Sequence, residues 1–337
     1  MVNTLKTLCA LPGVSSWEDE VRDYIRSRVE PHADSVRVDA MGNLIVFKKG
    51  EKSTGNKLML CAHMDEVGLM VQFITDEGYL KFSCVGGIDR RVLLGKQVLV
   101  GPKKVPGIIG LKAVHMTTPE ERKSVPKLED YYIDIGAVSG EEARAQVSEG
   151  DCCVFVSDAV EFGGGMLKAK AIDDRVGCAV LVKLLEEPLP MDCTFVFTVQ
   201  EEVGTRGAKT AAWSVNPDYG IAVDVTDVDD TPGSGKYGTC KLGRGAAVKV
   251  MDSSVICHPE VVKALEQCAQ DKGIAVQRDI IRAGGTDAGP IHVTRTGVRT
   301  GGISIPCRYI HTPTEMADLS DVQSCVDLTV AFAHAKL

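Results

Sequence analysis

The chain has 337 residues, 44% apolar and 25% charged, the balance of a globular protein long enough for two hydrophobic cores. Its formal net charge is −8, with no basic cluster to reverse this locally, which argues against nucleic acid and anionic membranes as partners. No run of about 18 apolar residues occurs and Met1-Val2-Asn3-Thr4-Leu5-Lys6 is no signal segment, so the expected compartment is the cytoplasm.

The 12 Cys are unevenly spaced without a CxxC pair, and several (Cys61, Cys178, Cys193) sit inside apolar runs; reduced core thiols are expected. The first element is a helix. Ser15-Ser16-Trp17-Glu18 offers a capping box, followed by a stripe of Val21, Tyr24, Ile25 and Val29. Strands are predicted at 36–38 and 44–47, around the turn Met41-Gly42-Asn43, and at 58–62. From 67 to 162 the texture changes to short β-rich runs (69–74, 79–84, 97–100, 153–156) broken by Gly, Pro or Asp. This predicts a small β-barrel or sandwich inserted into the other domain, with Gly163-Gly164-Gly165 as the return hinge. Beyond the hinge strands and helices alternate: a helix after Asp173-Asp174, strand 193–199, helix 205–214 and strand 219–224. A strand at 247–251, a helix at 259–272, a strand at 274–278 and a last helix from about Ser320 complete the pattern of a mainly parallel sheet covered on both faces.

Carboxylates and histidines stand where apolar runs end. His63-Met64-Asp65-Glu66 follows the run 58–62, Glu201-Glu202 follows 194–199, Asp224 follows 220–223, and His311 follows 303–305 through Pro306 and Arg308. Strand ends of a parallel sheet open on one edge, so these residues can converge on a divalent-metal site. Neighbouring side chains of a strand face opposite ways, so Glu201 and Glu202 share a site only if the strand stops there, as Gly204 suggests. One of them can then bind metal while the other serves as general base. Asp173-Asp174 precedes a helix and is either a plain N-cap or a source of a metal-bridging carboxylate. Asp224 at the end of an apolar strand is costly unless paired or metal-bound. Asp173, Asp224, Glu202 and a bridging hydroxide balance two divalent cations beside neutral His63 and His311, while Asp65 suits the outer shell, orienting the His63 ring. Gly233-Ser234-Gly235-Lys236-Tyr237-Gly238 matches G-x-G-x-x-G but sits in a polar loop that leads into no helix, which excludes dinucleotide binding.

Seven strings in order carry a resemblance: A-H-M-D-E-V-G (62–68), I-G-L-K-A-V-H-M-T-T-P-E-E-R-K (109–123), A-I-D-D-R (171–175), Q-E-E-V-G-T-R-G-A (200–208), V-D-V (223–225), G-G-T-D-A (284–288) and R-Y-I-H-T-P-T-E (308–315). Together they resemble the M42 family of dinuclear-metal aminopeptidases, whose members include glutamyl and tetrahedral aminopeptidases and proteins labelled endoglucanase M. The resemblance implies a three-layer α/β/α aminopeptidase domain (1–66 and 163–337) with an inserted PDZ-like β-barrel (67–162) that mediates dimerisation. It implies a dodecameric shell and hydrolysis of N-terminal residues from short peptides with a free N-terminus. Two divalent ions are implied, zinc or cobalt, with manganese also acceptable to such ligands. Carried over by motif, Asp173 bridges the metals, Glu202 and His311 complete one site, His63 and Asp224 the other, and Glu201 is the base. Two rivals stand beside this reading. A glycosidase of the endoglucanase type needs two free carboxyl groups about 5–9.5 Å apart, where only Glu201 is unligated. A non-catalytic assembly protein would be suggested by a broken ligand set, and the set is complete. Arg282 and the loop 284–288 are candidates for the pocket wall.

Overall fold

The computed structural model describes residues 1–52, 57–234 and 238–335. The chain begins with α1 (Val2–Ala10), α2 (Asp19–Val29), β1 (Ser35–Val38), β2 (Leu44–Lys48) and β3 (Leu58–His63). Then β4 (Gly68–Ile74), β5 (Leu80–Val85), β6 (Gln97–Val100), β7 (Val105–Gly110), β8 (Tyr132–Asp134), α3 (Gly140–Gln146) and β9 (Cys152–Phe155) follow. These six strands close into a barrel in the order β4-β5-β8-β7-β6-β9. The chain returns through β10 (Val160–Phe162) and β11 (Met166–Ala169) to α4 (Ile172–Leu185), β12 (Cys193–Thr198), α5 (Arg206–Val215) and β13 (Tyr219–Asp227). It finishes with β14 (Ala246–Met251), α6 (Pro259–Lys272), β15 (Val276–Ile280), α7 (Ala288–His292), β16 (Arg299–Arg308), β17 (Glu315–Asp318) and α8 (Leu319–Ala333).

The centre of the main sheet is parallel, β12-β3-β13-β16, and every residue of β3 is buried. Such strands lie between two helical layers, which is why they are apolar without alternation. On one face α4 packs on β3 and β13, with α1, α2 and α8 against α4; on the other, α5 and α7 cover β12, β13 and β16. Pressed between sheet and helices, α4 is apolar nearly all round, whereas α5 turns the small residues Gly207, Ala208, Ala211 and Ala212 inward. The outer strands β1, β2, β10, β11 and β17 pair antiparallel, so the sheet is mixed and not mainly parallel as the sequence suggests. The barrel has a core of its own around Leu69, Leu80, Val98, Ile109 and Ile133. It meets the larger domain where Val14 packs on Cys152 and Val154.

Three local expectations change. Helix α1 is an addition: at nine residues without a side-chain cap it has little intrinsic stability, and burial of Leu5, Leu8 and Cys9 holds it. The expected capping box at Ser15 does not form, because α2 starts at Asp19 and Ser15 Oγ donates to Asp65 Oδ2 at 2.7 Å. Strand β15 lies two residues later than expected, at 276–280. Part of the G-x-G-x-x-G match, residues 235–237, lies outside the described residues.

Candidate metal centre

His63 closes β3, and Thr198, its register partner, closes β12, so Glu201 and Glu202 follow immediately beyond the same sheet edge. Asp224 faces that edge from β13, which continues three residues further than the sequence suggests, through Val225, Thr226 and Asp227. Asp173 sits in the first turn of α4, where it and Asp174 leave helical geometry and share a cis peptide bond. His311 occupies the turn between β16 and β17 at φ 61°.

Two triads result, His63–Asp173–Asp224 and Asp173–Glu202–His311, each with its ligand atoms within 4.8 Å of one another. Asp173 belongs to both. Its Oδ1 lies 3.0 Å from His63 Nε2, and its Oδ2 lies 3.4 Å from His311 Nε2. Asp224 Oδ1 is 3.8 Å from His63 Nε2, and Glu202 Oε2 is 3.1 Å from His311 Nε2. Glu202 Oε1 is buried and accepts no hydrogen bond from any described residue, which in a carboxylate marks a lone pair open to another ligand. Glu201 falls in neither triad but lines the same crevice.

Buried carboxylates that accept backbone N–H groups fix these ligands. Asp65 accepts the Glu201 N–H through Oδ1 (2.9 Å) and the Glu202 N–H through Oδ2 (3.1 Å). His63 Nδ1 lies 3.0 Å from the Asp65 carbonyl and 3.4 Å from its carboxylate, which directs Nε2 at Asp173 and Asp224. Glu315 accepts the backbone N–H groups of Asp173 (2.9 Å) and His311 (3.0 Å), tying both halves of the second triad. Asp174 accepts the His63 N–H at 3.1 Å and the Gly177 N–H at 3.0 Å. A Cβ at Gly177 would fall 2.4 Å from Asp174 Oδ1, so only glycine fits there.

The charge pattern is that of a cation site. Burial opposes a charged His63, yet its hydrogen bonds to Asp173 and Asp65 raise it well above the imidazole range. His311 is pushed to about 12, its contacts with Asp173 and Glu202 outweighing burial. Burial raises Asp224 to about 8, opposed by His63 and aided by Asp173, and Glu201 and Glu202 are raised for the same first reason. A divalent ion suits such a set because it takes imidazole neutral and carboxylate ionised, and two nitrogen and several oxygen donors fit zinc, cobalt or manganese. The crevice has a volume of about 770 Å³ and extends from the triads along Val225, Asp227, Ile281, Arg282 and Ile310, with Gly87 contributed by the segment after β5.

Comparison with known proteins agrees with this geometry. Residues 42–328 match the family described as M42 glutamyl aminopeptidase. The chain belongs to the M42 peptidase family. A candidate aminopeptidase of Acetivibrio thermocellus is 48% identical over 332 residues, which span 98% of this chain and 97% of that protein. The structure of an aminopeptidase from the archaeon Desulfurococcus kamchatkensis superposes with a TM-score of 0.94 at 39% identity, covering 99% of this chain and 94% of that one. The TET1 peptidase of Pyrococcus horikoshii, which can assemble into a tetrahedron or a large octahedral shell, gives a TM-score of 0.88 at 36% identity over 99% of both chains.

In this M42 peptidase all seven residues singled out from the sequence meet at one sheet edge: His63, Asp65, Asp173, Glu201, Glu202, Asp224 and His311. Sequence reasoning missed Glu315 and did not foresee that Asp174 would accept the His63 N–H or that Ser15 would pair with Asp65. Glu315 lay inside the R-Y-I-H-T-P-T-E string, four residues past His311, but nothing local says that it reaches back to Asp173. Arg282, Gly284, Gly285 and Thr286 line the crevice as expected of that loop, whereas Asp287 and Ala288 are buried and not part of its lining.

Proposed function

We propose that the protein is a metal-dependent aminopeptidase that removes N-terminal residues from short peptides by means of two divalent ions. The observation that carries this is Asp173, whose two carboxylate oxygens face two different histidines in two overlapping ligand triads. Asp173 would bridge the ions, His63 and Asp224 would hold one, and Glu202 and His311 the other. Ions held there supply Lewis acidity toward the scissile carbonyl and toward the attacking water. Glu201, half-buried beside the triads and outside both, is placed to take the proton of that water and deliver it to the leaving amine. Asp65 keeps Glu201 and Glu202 at fixed places through their backbone N–H groups.

The barrel is proposed as the assembly module of a catalytic chain running 1–66 and 163–337. It exposes Phe73, Leu94, Ile108, Val114, Met116 and Val138. Exposed apolar side chains in such number suit an interface, and the likeness to a shell-forming peptidase supports self-association into dimers and a dodecamer. Among the described residues no helix is long and apolar enough to cross a membrane. The cysteines are all free, which suits a reducing cytoplasm.

The test is chelation. Protein stripped of metal should lose hydrolysis of aminoacyl reporter substrates and regain it with Zn²⁺ or Co²⁺. Full turnover by protein that elemental analysis shows to be metal-free would overturn the reading. Cleavage of a β-glucan that survives chelation would instead favour a glycosidase.

A further inference from the structure

We infer that the crevice selects a lysine or arginine side chain at the N-terminus of the substrate, with the Asp227 carboxylate receiving its cation; this rests on the aminopeptidase reading. Asp227 is the last residue of β13, exposed, and part of the crevice wall. Among the described residues it has no hydrogen bond or ion pair through its side chain, whereas Asp173, Glu202 and Asp224 of the same crevice each face a histidine. A strand rises about 3.3 Å per residue, so Asp227 stands roughly 10 Å along β13 from Asp224. Its backbone thus lies beyond the triads along β13, where the end of a long substrate side chain can reach. Val225, Ile281 and Ile310 supply apolar wall against which the methylenes of such a side chain can lie while its charged head reaches the polar end.

The cations of the same wall do not favour an acidic side chain. Lys249 is sealed from solvent and its Nζ lies 2.6 Å from Asp279, so its charge is already matched. Arg282, the other cation of the wall, has an interaction of its own. A substrate carboxylate would therefore meet Asp227 as a like charge, whereas a substrate cation forms a charge-assisted hydrogen bond there.

The experiment measures kcat/KM of the metal-loaded enzyme on Lys, Arg, Leu and Glu p-nitroanilides, for the wild type and Asp227→Asn. Lys and Arg are expected to lead in the wild type. In the variant the Lys-to-Leu ratio should fall about tenfold, chiefly through KM, the equivalent of one good ion pair lost. Wild-type preference for Glu or Leu, or an unchanged Lys-to-Leu ratio in the variant, overturns the assignment. Absence of turnover on every substrate would strike the aminopeptidase reading itself. Calorimetric binding of L-lysine, L-leucine and L-glutamate then still decides the pocket, with tighter binding of lysine expected and its loss of preference in Asp227→Asn.

Discussion

Asp65 grips Glu201 by the backbone: its Oδ1 accepts the Glu201 N–H at 2.9 Å. The same carboxylate accepts from Ser15 Oγ and from the Glu202 N–H, and it faces His63. One buried side chain thus fixes a residue from each triad together with the proposed base. Asp65→Ala should lower activity and metal affinity together, by about 10–100-fold, as loss of an outer-sphere partner commonly does. Titration of apo protein with Zn²⁺ alongside kinetics checks this; wild-type affinity and turnover would show that the fold alone positions the ligands.

The proposal gives the adjacent Glu201 and Glu202 different roles. Glu201→Gln should cut kcat by about 10²–10⁴-fold while metal content stays at the wild-type level. Glu202→Gln should weaken one of the two proposed metal sites, because its Oε1 has no partner among the described residues and its Oε2 lies 3.1 Å from His311. Elemental analysis of both variants decides, and metal loss in the first with retention in the second reverses the roles.

Lys249 and Asp279 form an ion pair inside the protein, at 1% and 0% exposure. Removing one partner leaves an uncompensated buried charge, so Asp279→Asn should destabilise by about 3–5 kcal/mol. Lys249→Met with Asp279→Leu should recover most of that loss, since apolar side chains of similar size tolerate the site. Denaturant midpoints of the three proteins test it; a double variant as unstable as the single would assign the pair a net stabilising role.

Glu18 is a second buried carboxyl, raised from 4.5 to about 7, first by burial and then by Asp65. Below pH 4.5 it holds its proton in both folded and unfolded chains. Between that value and about 7 the unfolded chain ionises while the folded one does not, so stability falls as pH rises through this window. Above it the cost is complete, roughly 3 kcal/mol. Glu18→Gln keeps an acceptor for the N–H groups of Ser16 and Gln200 and removes that cost. Thermal midpoints should coincide with wild type near pH 4.5 and exceed it at pH 8.5; equal midpoints at both would show that the ionised form is not penalised.

What the sequence determined by itself was which polar residues gather beyond the strand ends, and their rough address. Apolar runs ending in His63, Glu201-Glu202, Asp224 and His311 placed those residues beyond strand ends, because a fully buried strand leaves polar side chains only where it emerges. The change of rhythm after Glu66 marked a separate β unit for the same kind of reason: short alternating runs cannot form the buried centre of an α/β sheet. The tertiary structure decided how the pieces meet. That Asp173 presents one oxygen to each histidine follows from the path of α4 relative to β3 and the β16–β17 turn, over contacts more than a hundred residues apart. Ser15 looked like a helix cap and became a partner of Asp65, because a hydroxyl beside a buried carboxylate gains more there than at a solvated helix end. Glu315 and Asp174 gained their places likewise, by accepting backbone N–H groups that chain folding delivers to them. Local pattern sets which residues must leave the core, and long-range packing sets which of them face each other.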